Sequence, residues 1–240
     1  MASKSGRSVG ALQAIAREAN ADLAGAAPDD VIEWAAGRFA DSVFATQSMA
    51  NTALATMIAD CAAQVPVYFI DTGLHFPETL ATRDDVARAH AALRLITIHS
   101  PVSIDEQARD LGSSLWMTDP DQCCEIRKVS PMRRLWATHD AWITGLRRAD
   151  RHDGAPVDMI EVDEARGIVK ICPLLEWSDA DLLEYATQHG TIVNPLLAEG
   201  FNSIGCRPCT RRTAEGEHPR SGRWPGFDKT ECGLHRRRAG

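Results

Sequence analysis

Two pairs of cysteines constrain this chain more than any other feature of its sequence. Cys123 and Cys124 are adjacent, and Cys206 and Cys209 form a C-x-x-C motif that begins 82 residues after Cys124. Two such pairs, joined by the fold, supply four thiolates, the ligand set of a zinc ion or of an iron–sulfur cluster. Neighbouring side chains of a helix diverge by about 100°, which suits a cluster with separate metal corners better than one zinc ion. Unligated thiols are the third interpretation.

The other three cysteines have different surroundings. Cys61 and Cys172 lie in largely apolar stretches, where a buried, inert thiol is the usual outcome. Cys232 lies in a Glu-Cys-Gly-Leu-His sequence near several arginines, and positive charge favours the nucleophilic thiolate. An unused, exposed Cys232 is the alternative. Because seven cysteines is an odd number and no signal-peptide pattern is present, we expect reduced thiols and a cytoplasmic location.

The distribution of charge limits the kinds of partner. The chain carries a net charge of −7, whereas the segments 126–151 and 205–240 each carry +5. A general nucleic-acid binder presents a broadly basic face, so we expect no nucleic-acid partner. Two basic segments favour a site for a compact anion, with solvated helix faces as the alternative. No apolar run approaches the ~18 residues of a membrane span, so we expect no membrane partner. A homo-oligomer is compatible with the sequence.

The order of apolar segments predicts the fold class. After two N-terminal helices, short strand-like segments at 42–46, 65–70 and 93–98 alternate with helical segments at 50–62 and 77–92. Such repeats predict an α/β fold, a mostly parallel sheet flanked by helices. Further along, the pattern predicts a long helix at 123–138, a strand at 140–144, a hairpin within 157–171, and a helix that begins at Ser178. We expect residues 1–199 to form the α/β domain and 200–240 to form an irregular C-terminal segment that folds over a site.

Five short motifs add a family resemblance. They read DTGLHFPET at 71–79, CCEIRKV at 123–129, ITGLRR at 143–148, GCRPCT at 205–210 and ECGLH at 231–235. Together and in this order they resemble the phosphoadenylyl-sulfate reductase family, in its cluster-bearing type, the assimilatory adenylyl-sulfate (APS) reductases. The resemblance covers roughly residues 40–235. It implies an adenine nucleotide α-hydrolase-like fold, related to the pyrophosphate-loop ATPases, with residues 1–199 as the nucleotide-binding domain.

The resemblance also implies a reaction. Its members reduce adenosine 5′-phosphosulfate to sulfite and AMP with electrons from thioredoxin, in sulfate assimilation and cysteine biosynthesis. Cys232 matches their nucleophile, which carries an S-sulfocysteine intermediate, and Lys128 matches a lysine between cluster and substrate. His235 is expected to steer the anion or tune the thiolate. The four paired cysteines match the ligands of a [4Fe–4S] cluster: Cys123, Cys124, Cys206 and Cys209.

Substrate binding is assigned to residues suited to anions. The segment after the first strand, 46–52, lacks the glycines usual in the family, so the following helix N-terminus and the hydroxyls of Ser48 and Thr52 are expected to serve instead. Guanidinium groups match phosphate and sulfate bidentately, and Asp71 is expected in the nucleotide pocket. The candidate arginines are Arg147, Arg148, Arg220 and Arg223. Six further arginines are expected to be solvated, on helix faces or in the C-terminal segment: Arg127, Arg133, Arg134 and Arg236 to Arg238.

Three other functions remain compatible with parts of the sequence. A reductase of 3′-phosphoadenylyl sulfate would use the same nucleophile, Cys232. A pyrophosphate-loop ATPase that adenylates its substrate would use the same fold, although the segment 46–52 lacks glycine and Cys232 would have no role. A non-enzymatic zinc protein would use the cysteine pairs and the basic C-terminal segment to bind a partner.

Overall fold

A computed structural model describes residues 4–151 and 156–235. In this part of the chain six strands form one sheet in the order β3-β2-β1-β4-β6-β5. All neighbouring strands run parallel except β5 and β6, which form an antiparallel hairpin. The predicted α/β class with a mostly parallel sheet is therefore confirmed. The strands are β1 (Val43–Thr46), β2 (Val67–Asp71), β3 (Leu95–His99), β4 (Ala141–Thr144), β5 (Ile160–Asp163) and β6 (Ile168–Ile171).

Helices connect and cover these strands. Several begin at side-chain caps written into the sequence, such as the capping box in which Ser178 and Asp181 bond each other's backbone N–H groups. Ser103 and Glu106 form a second box of the same kind. The helices are α1 (Val9–Asp22), α2 (Pro28–Phe39), α3 (Ala53–Cys61), α4 (Pro77–Ala89), α5 (Ile104–Leu111), α6 (Leu115–Thr118), α7 (Pro120–Cys124), α8 (Ser130–Thr138) and α9 (Asp179–His189).

Strand β1 shows how both faces of the sheet are covered. Successive side chains of a strand point to opposite faces. Val43 and Ala45 belong to the large apolar cluster with residues of α1, α2 and α3. Phe44, between them, packs in a second cluster with Met132 and Trp136 of α8. A parallel sheet buried in this way on both sides needs the continuous apolar strands that the sequence provides.

The helix predicted at 123–138 is longer and less regular than expected. It begins as α7 at Pro120, widens into a π-helical turn at Glu125–Val129, and continues as α8. The stretch before it contains the short helix α6. Wide turns of this kind are frequent at functional sites, and this one carries Lys128.

Arg127, in the same turn, corrects one expectation. It is buried rather than solvated, with its guanidinium donating to Gln107 Oε1 at 2.6 Å and to the carbonyls of Val102 and Ser103 at 2.7 Å each. A buried guanidinium needs several acceptors, and α5 and the residues before it supply them. Arg127 therefore ties the wide turn to α5. Arg236 to Arg238 lie outside the described residues.

The C-terminal segment, residues 200–235 in the structure, crosses the carboxyl ends of the strands. Arg207 donates its N–H to the carbonyl of Leu74 in the loop after β2, at 2.8 Å. Thr210 and Arg223 form an isolated antiparallel bridge that folds the segment back on itself. The division of the chain at residue 199 stays a prediction. No helix within residues 4–151 and 156–235 is long and apolar enough to cross a membrane.

Candidate active site

A cavity of about 650 Å³ opens at the carboxyl ends of the central strands. Thr46 ends β1 and Thr144 ends β4, and both residues line it. Further parts of its wall come from the loops after β1, β2 and β4, from the wide turn that carries Lys128, from helices that include α9, and from the C-terminal segment. The chain passes from β1 to β2 on one side and later to β4 on the other. The cavity therefore occupies the switch point at which open α/β sheets bind ligands.

The glycine-free segment after β1 contributes to this wall in part. Ser48 is exposed and lines the cavity. Thr52, also expected there, is fully buried outside the cavity wall, because its hydroxyl donates to the carbonyl of Ile192 at 2.6 Å. Gln47 and Asn51 line the cavity as well, and Gln47 Nε2 donates to the Asn51 carbonyl at 2.6 Å. The amide side chains of Gln47 and Asn51 thus line the cavity beside Ser48, and the hydroxyl of Thr52 does not.

Asp71 ends β2, but its carboxylate serves the turn that follows. Oδ1 accepts the N–H of Gly73 at 2.8 Å, and Oδ2 lies 3.9 Å from Nδ1 of His99. Gly73 has a φ of +72°, a conformation that favours glycine. Asp71 is not among the residues that line the cavity, whereas its neighbours Thr72 and His75 are. Its position is that of a strand-end turn cap.

The two arginines after β4 point in different directions. Arg147 lines the cavity, with its guanidinium held by Asp150 at 2.9 Å and by Asp179 at 2.8 Å. Arg148 lies outside the cavity wall and pairs with Glu176 at 2.5 Å, with 46% of its side chain exposed. Both guanidinium charges are thus balanced by carboxylates of the protein. An incoming anion would have to compete with them.

Arg220 and Arg223 offer positive charge that is less fully paired. Both line the cavity, and the Nε atom of each is buried with no hydrogen-bond partner. Arg220 donates through Nη2 to the carbonyl of Thr230 at 2.9 Å. The guanidinium of Arg223 lies 4.4 Å from the ring centre of Trp224, which is buried. Lys128 completes the group, 6.0 Å from the same ring.

The charge of Lys128 is favoured by its neighbours. Burial alone would lower the pKa of this ammonium group, but the negative charge that the sulfurs of Cys206, Cys232 and Cys124 can carry outweighs burial and raises the pKa. Lys128 therefore stays protonated, close to the cysteine pairs and to Cys232. Its expected role as a cation between cluster and substrate stays a prediction.

The four paired cysteines lie together beneath the cavity. All four are buried, with 5–7% of their surface exposed. Burial raises the pKa of the Cys123 thiol to about 12, and the charges of the other three add to the shift, so each lies near Cys123. Burial likewise raises the pKa of Cys209 to about 11. Trp224 packs against three of them: Cys124, Cys206 and Cys209.

Few polar groups of the protein reach these thiols. Cys206 Sγ lies 3.3 Å from the hydroxyl oxygen of Thr72. Within residues 4–151 and 156–235, as they are placed, no group of three or more His, Cys, Asp or Glu side chains could hold a metal ion. The structure brings together four buried thiols, three of which share the apolar cluster with Trp224.

Cys232 borders both the cavity and the cysteine cluster. Its side chain packs against the buried cysteines, and its residue lines the cavity. The thiol donates a hydrogen bond to Glu231 Oε1 at 3.2 Å. Burial raises the pKa of the thiol to about 11, and Glu231 adds to the shift while Lys128 opposes it. In this arrangement Cys232 is a protonated thiol.

His235 lies against the sheet rather than in solvent. Its ring stacks on Trp142 at 5.0 Å between centres, with the planes 8° apart. Burial lowers its pKa to about 3, and the charge of Lys170 adds to the shift. His235 is therefore neutral here. It lines the cavity as a polar but uncharged group, three residues after Cys232.

Two residues at the site carry only weak signals in the sequence. Glu231 precedes the reactive thiol within the ECGLH motif, and its Oε1 accepts hydrogen bonds from the Cys232 thiol at 3.2 Å and from the Gly233 N–H at 3.1 Å. Trp224 is a large apolar residue in a segment rich in charge, which was a usable signal. Its ring covers the thiols and carries the guanidinium of Arg223.

Comparison with known proteins identifies the family of the chain. The family model of the phosphoadenosine phosphosulfate reductase domain matches residues 42–212. A protein of Streptomyces coelicolor named adenosine 5′-phosphosulfate reductase is 44% identical, with 93% of this chain and 94% of that protein covered. A protein of the same name from Mycobacteroides abscessus is 40% identical over the same shares of the two chains.

Solved structures support the fold. The crystal structure of a phosphoadenylyl-sulfate reductase from Candida auris, in a phosphate complex, matches with a TM-score of 0.71 and 30% identity, over 87% of this chain and all of that one. A Candida glabrata FMN adenylyltransferase matches with a TM-score of 0.53 at 14% identity, over 80% of this chain and 69% of that one, which supports the adenine nucleotide α-hydrolase-like fold alone. The family model and the relatives together show that the chain belongs to the phosphoadenosine phosphosulfate reductase family.

Proposed function

We propose that this protein reduces APS to sulfite and AMP with electrons from thioredoxin, in sulfate assimilation and cysteine biosynthesis. The observation that carries the proposal is a single cavity that holds the thiol of Cys232 together with the cations Lys128, Arg220 and Arg223. Preorganised cations suit a reaction at an atom surrounded by anionic oxygens. The relatives named adenosine 5′-phosphosulfate reductase support the substrate class.

The cations prepare the substrate for attack. The phosphosulfate of APS repels an anionic nucleophile until its charge is balanced. Arg220 and Arg223 have unpaired Nε donors and would bind the oxygens bidentately. Lys128 acts as a point charge that also favours the thiolate of Cys232. Arg147, already balanced by two carboxylates, shapes the wall instead.

Sulfur transfer then takes place in two steps. In the first, Cys232 Sγ loses its proton to solvent and bonds to the sulfur of APS, and the bridging oxygen leaves with its electron pair as part of AMP. In the second, a thioredoxin thiolate bonds to Cys232 Sγ, and sulfite leaves with the electron pair of the broken S–S bond. The second thioredoxin thiol restores Cys232 and leaves a thioredoxin disulfide. Two electrons pass from thioredoxin to sulfur.

The proposal includes a [4Fe–4S] cluster on the four paired cysteines. Four buried thiols with interacting charges suit such a cofactor. When bound, the cluster supplies structural and electrostatic support beside Lys128, and the two steps above need no change in its redox state. Reduced thiols also point to the cytoplasm as the working compartment. The ligands would be Cys123, Cys124, Cys206 and Cys209.

A reductase of the 3′-phosphorylated substrate is the second candidate. The similar structure from Candida auris is a phosphoadenylyl-sulfate reductase, at 30% identity. The relatives at 40–44% identity are named for APS, which favours the first candidate. An adenylating ATPase would give the thiol of Cys232, which lines the cavity, no chemical role. An assay for pyrophosphate release from ATP separates that function from both reductases.

A single-turnover experiment tests the proposal. Enzyme mixed with APS and no thioredoxin should release one AMP per active chain and gain one SO3 group on the peptide that contains Cys232. Cys232→Ser should abolish both and all sulfite production, with iron content and fold retained. Cys61→Ser, at a half-buried thiol remote from the cavity, is the matched control and should behave as the wild type. An adduct on Cys61 or Cys172, or an active Cys232→Ser variant, would contradict the proposal.

A further inference from the structure

Arg166 connects the β5–β6 hairpin to the nucleophile loop, which we define as residues 231–235. Arg166 lies in the turn between the two strands. Its Nη2 donates a hydrogen bond to the carbonyl of Gly233 at 3.0 Å. Gly233 directly follows Cys232, so a charged donor from a distant part of the chain holds the backbone next to the proposed nucleophile.

The guanidinium of Arg166 is itself held in place. It stacks on the ring of Trp136 at 4.2 Å, and Nη1 pairs with Asp163. Only 9% of the Arg166 side chain is exposed. Lys4 adds a brace, because its Nζ donates to the carbonyls of Trp136 and of Arg166 at 3.2 Å each. Few rotamers are open to a side chain bounded in this way.

The other side of the nucleophile loop makes close packing contacts. Gly233 has a φ of +93°, and an ideal Cβ there would lie 3.2 Å from Cγ2 of Val129. Leu234 packs on the apolar cluster around Trp136, and His235 stacks on Trp142. These contacts anchor the loop on apolar side chains of the sheet and of α8. The Arg166 bond adds a directional, charge-assisted contact at the residue after Cys232.

We infer that Arg166 is a positioning residue, which holds the nucleophile loop in the position from which Cys232 reaches the substrate. The inference rests on the proposed function of Cys232. Attack on bound APS needs the thiol held against the cavity, whereas reaction with thioredoxin needs it accessible to a second protein. The Arg166 bond to Gly233 is one of the contacts that hold the first arrangement, beside the bond from the Gly233 N–H to Glu231 Oε1 at 3.1 Å and the packing of Leu234 and His235. Arg166 should therefore affect the first step and not the second.

Two substitutions separate positioning from stability. Arg166→Met removes the donor and leaves Asp163 without its positively charged partner, although the backbone N–H of residue 166 still bonds Asp163, so it also lowers stability. Arg166→Lys keeps a charge for Asp163 but loses the planar fork that reaches Asp163 and Gly233 at once. Arg88→Met, at an exposed arginine of α4 paired with Asp85, is the matched control. All variants are compared as the iron-loaded protein, with melting temperature and iron content measured.

Three rates are then followed. Alkylation of Cys232 without substrate, read by mass spectrometry against Cys61 in the same chain, should rise about tenfold in both Arg166 variants, the effect of losing one charge-assisted hydrogen bond. AMP release in a single turnover with saturating APS should fall by about the same factor. Release of sulfite by thioredoxin from enzyme that already carries the SO3 group should stay at the wild-type rate. KM for APS should change little.

The outcomes decide between the roles. Arg166→Lys with a wild-type melting temperature, faster alkylation and slower first step establishes the positioning role. Wild-type alkylation rates in both variants overturn it, as does an equal slowing of both steps in proportion to lost stability. If the wild type forms no adduct with APS, the proposed function fails. The alkylation rates still show whether Arg166 holds the loop.

Discussion

Gly205 lies directly against the guanidinium of Arg223. An ideal Cβ at Gly205 would be 2.9 Å from Nε of Arg223 and nearer still to the rest of the group. The other side of the same guanidinium faces the ring of Trp224 at 4.4 Å. Because Gly205 immediately precedes Cys206, one contact joins a cation of the cavity to the cysteine cluster.

Gly205→Ala should displace Arg223. The added methyl group cannot be accommodated while the guanidinium lies between Trp224 and the backbone, so the Kd for APS should rise about tenfold, the effect of one charge-assisted hydrogen bond. Isothermal titration with APS measures it, with iron content as a check on the neighbouring Cys206. Gly37→Ala, in open space on α2, is the control. An unchanged Kd would show that Arg223 does not bind the anion.

Arg223 and Arg147 should differ in function although both line the cavity. Arg223→Met should raise KM for APS by ten to a hundredfold, roughly the contribution of bonds to a charged group, with little change in melting temperature. Arg147→Met leaves the carboxylates of Asp150 and Asp179 without their partner. It should lower the melting temperature more than it raises KM. Steady-state kinetics and thermal unfolding of both variants test the contrast, and the reverse pattern would contradict it.

The fold was predictable because its signals are local. Alternating strand and helix segments, and the box formed by Ser178 and Asp181, depend on residues close in sequence. Side-chain directions in the site depend on partners far away. Arg148 turns outward to Glu176, 28 residues on, and Thr52 turns toward Ile192, 140 residues on. The spacing of residues within one motif cannot identify partners that lie so far away in the sequence.

The chemical site was predictable from residue type more than from geometry. The spacing of the two cysteine pairs identifies them in the sequence, and in the structure the four cysteines are buried near one another. Charge alone could not tell which arginines were unpaired, since the run Arg147–Arg148 is satisfied by carboxylates and Arg220 and Arg223 keep buried free Nε donors. The conformation of Cys232 was not predictable either, because its loop is held by Arg166 from the distant hairpin.

Iron should depend on each of the four paired cysteines. Anaerobically purified protein should be brown and contain about four irons and four sulfides per chain. Replacing Cys123, Cys124, Cys206 or Cys209 by Ser should remove the iron and most activity, because a hydroxyl is a poor ligand for this cluster. Cys172→Ser, at a buried thiol remote from the cluster, should keep the colour. Stoichiometric zinc without iron in the wild type would contradict the assignment.

The substrate should be APS rather than its 3′-phosphorylated form. A 3′-phosphate would add charge to a cavity in which the carboxylates of Asp150 and Asp179 already hold Arg147. A 3′-phosphate that finds no cationic partner in the cavity should lower kcat/KM by at least about tenfold. Sulfite release measured with both nucleotides at equal thioredoxin gives the ratio. Equal or higher kcat/KM with the 3′-phosphorylated form would reverse the assignment and make the second candidate function the correct one.

Stability should fall as the pH decreases below about 6.5, the ordinary pKa of histidine. Burial lowers the pKa of His139 in the folded protein, where the ring lies 5.0 Å from that of Phe44 and Nδ1 donates to the carbonyl of Leu135 at 2.9 Å. The unfolded chain therefore binds more protons than the folded one in this range, and the free energy of unfolding decreases as protons are added.

One histidine of this kind contributes a slope of up to about 1.4 kcal/mol per pH unit between its folded pKa and 6.5. Burial also lowers the pKa of His75 and His235, so His139→Gln should reduce the slope without abolishing it. Denaturant unfolding of the wild type and of the variant between pH 5 and pH 8 measures the difference. Parallel curves for the two proteins would mean that His139 is protonated as readily in the folded state as in the unfolded chain, and that burial in the apolar cluster with Phe44 does not disfavour its charge.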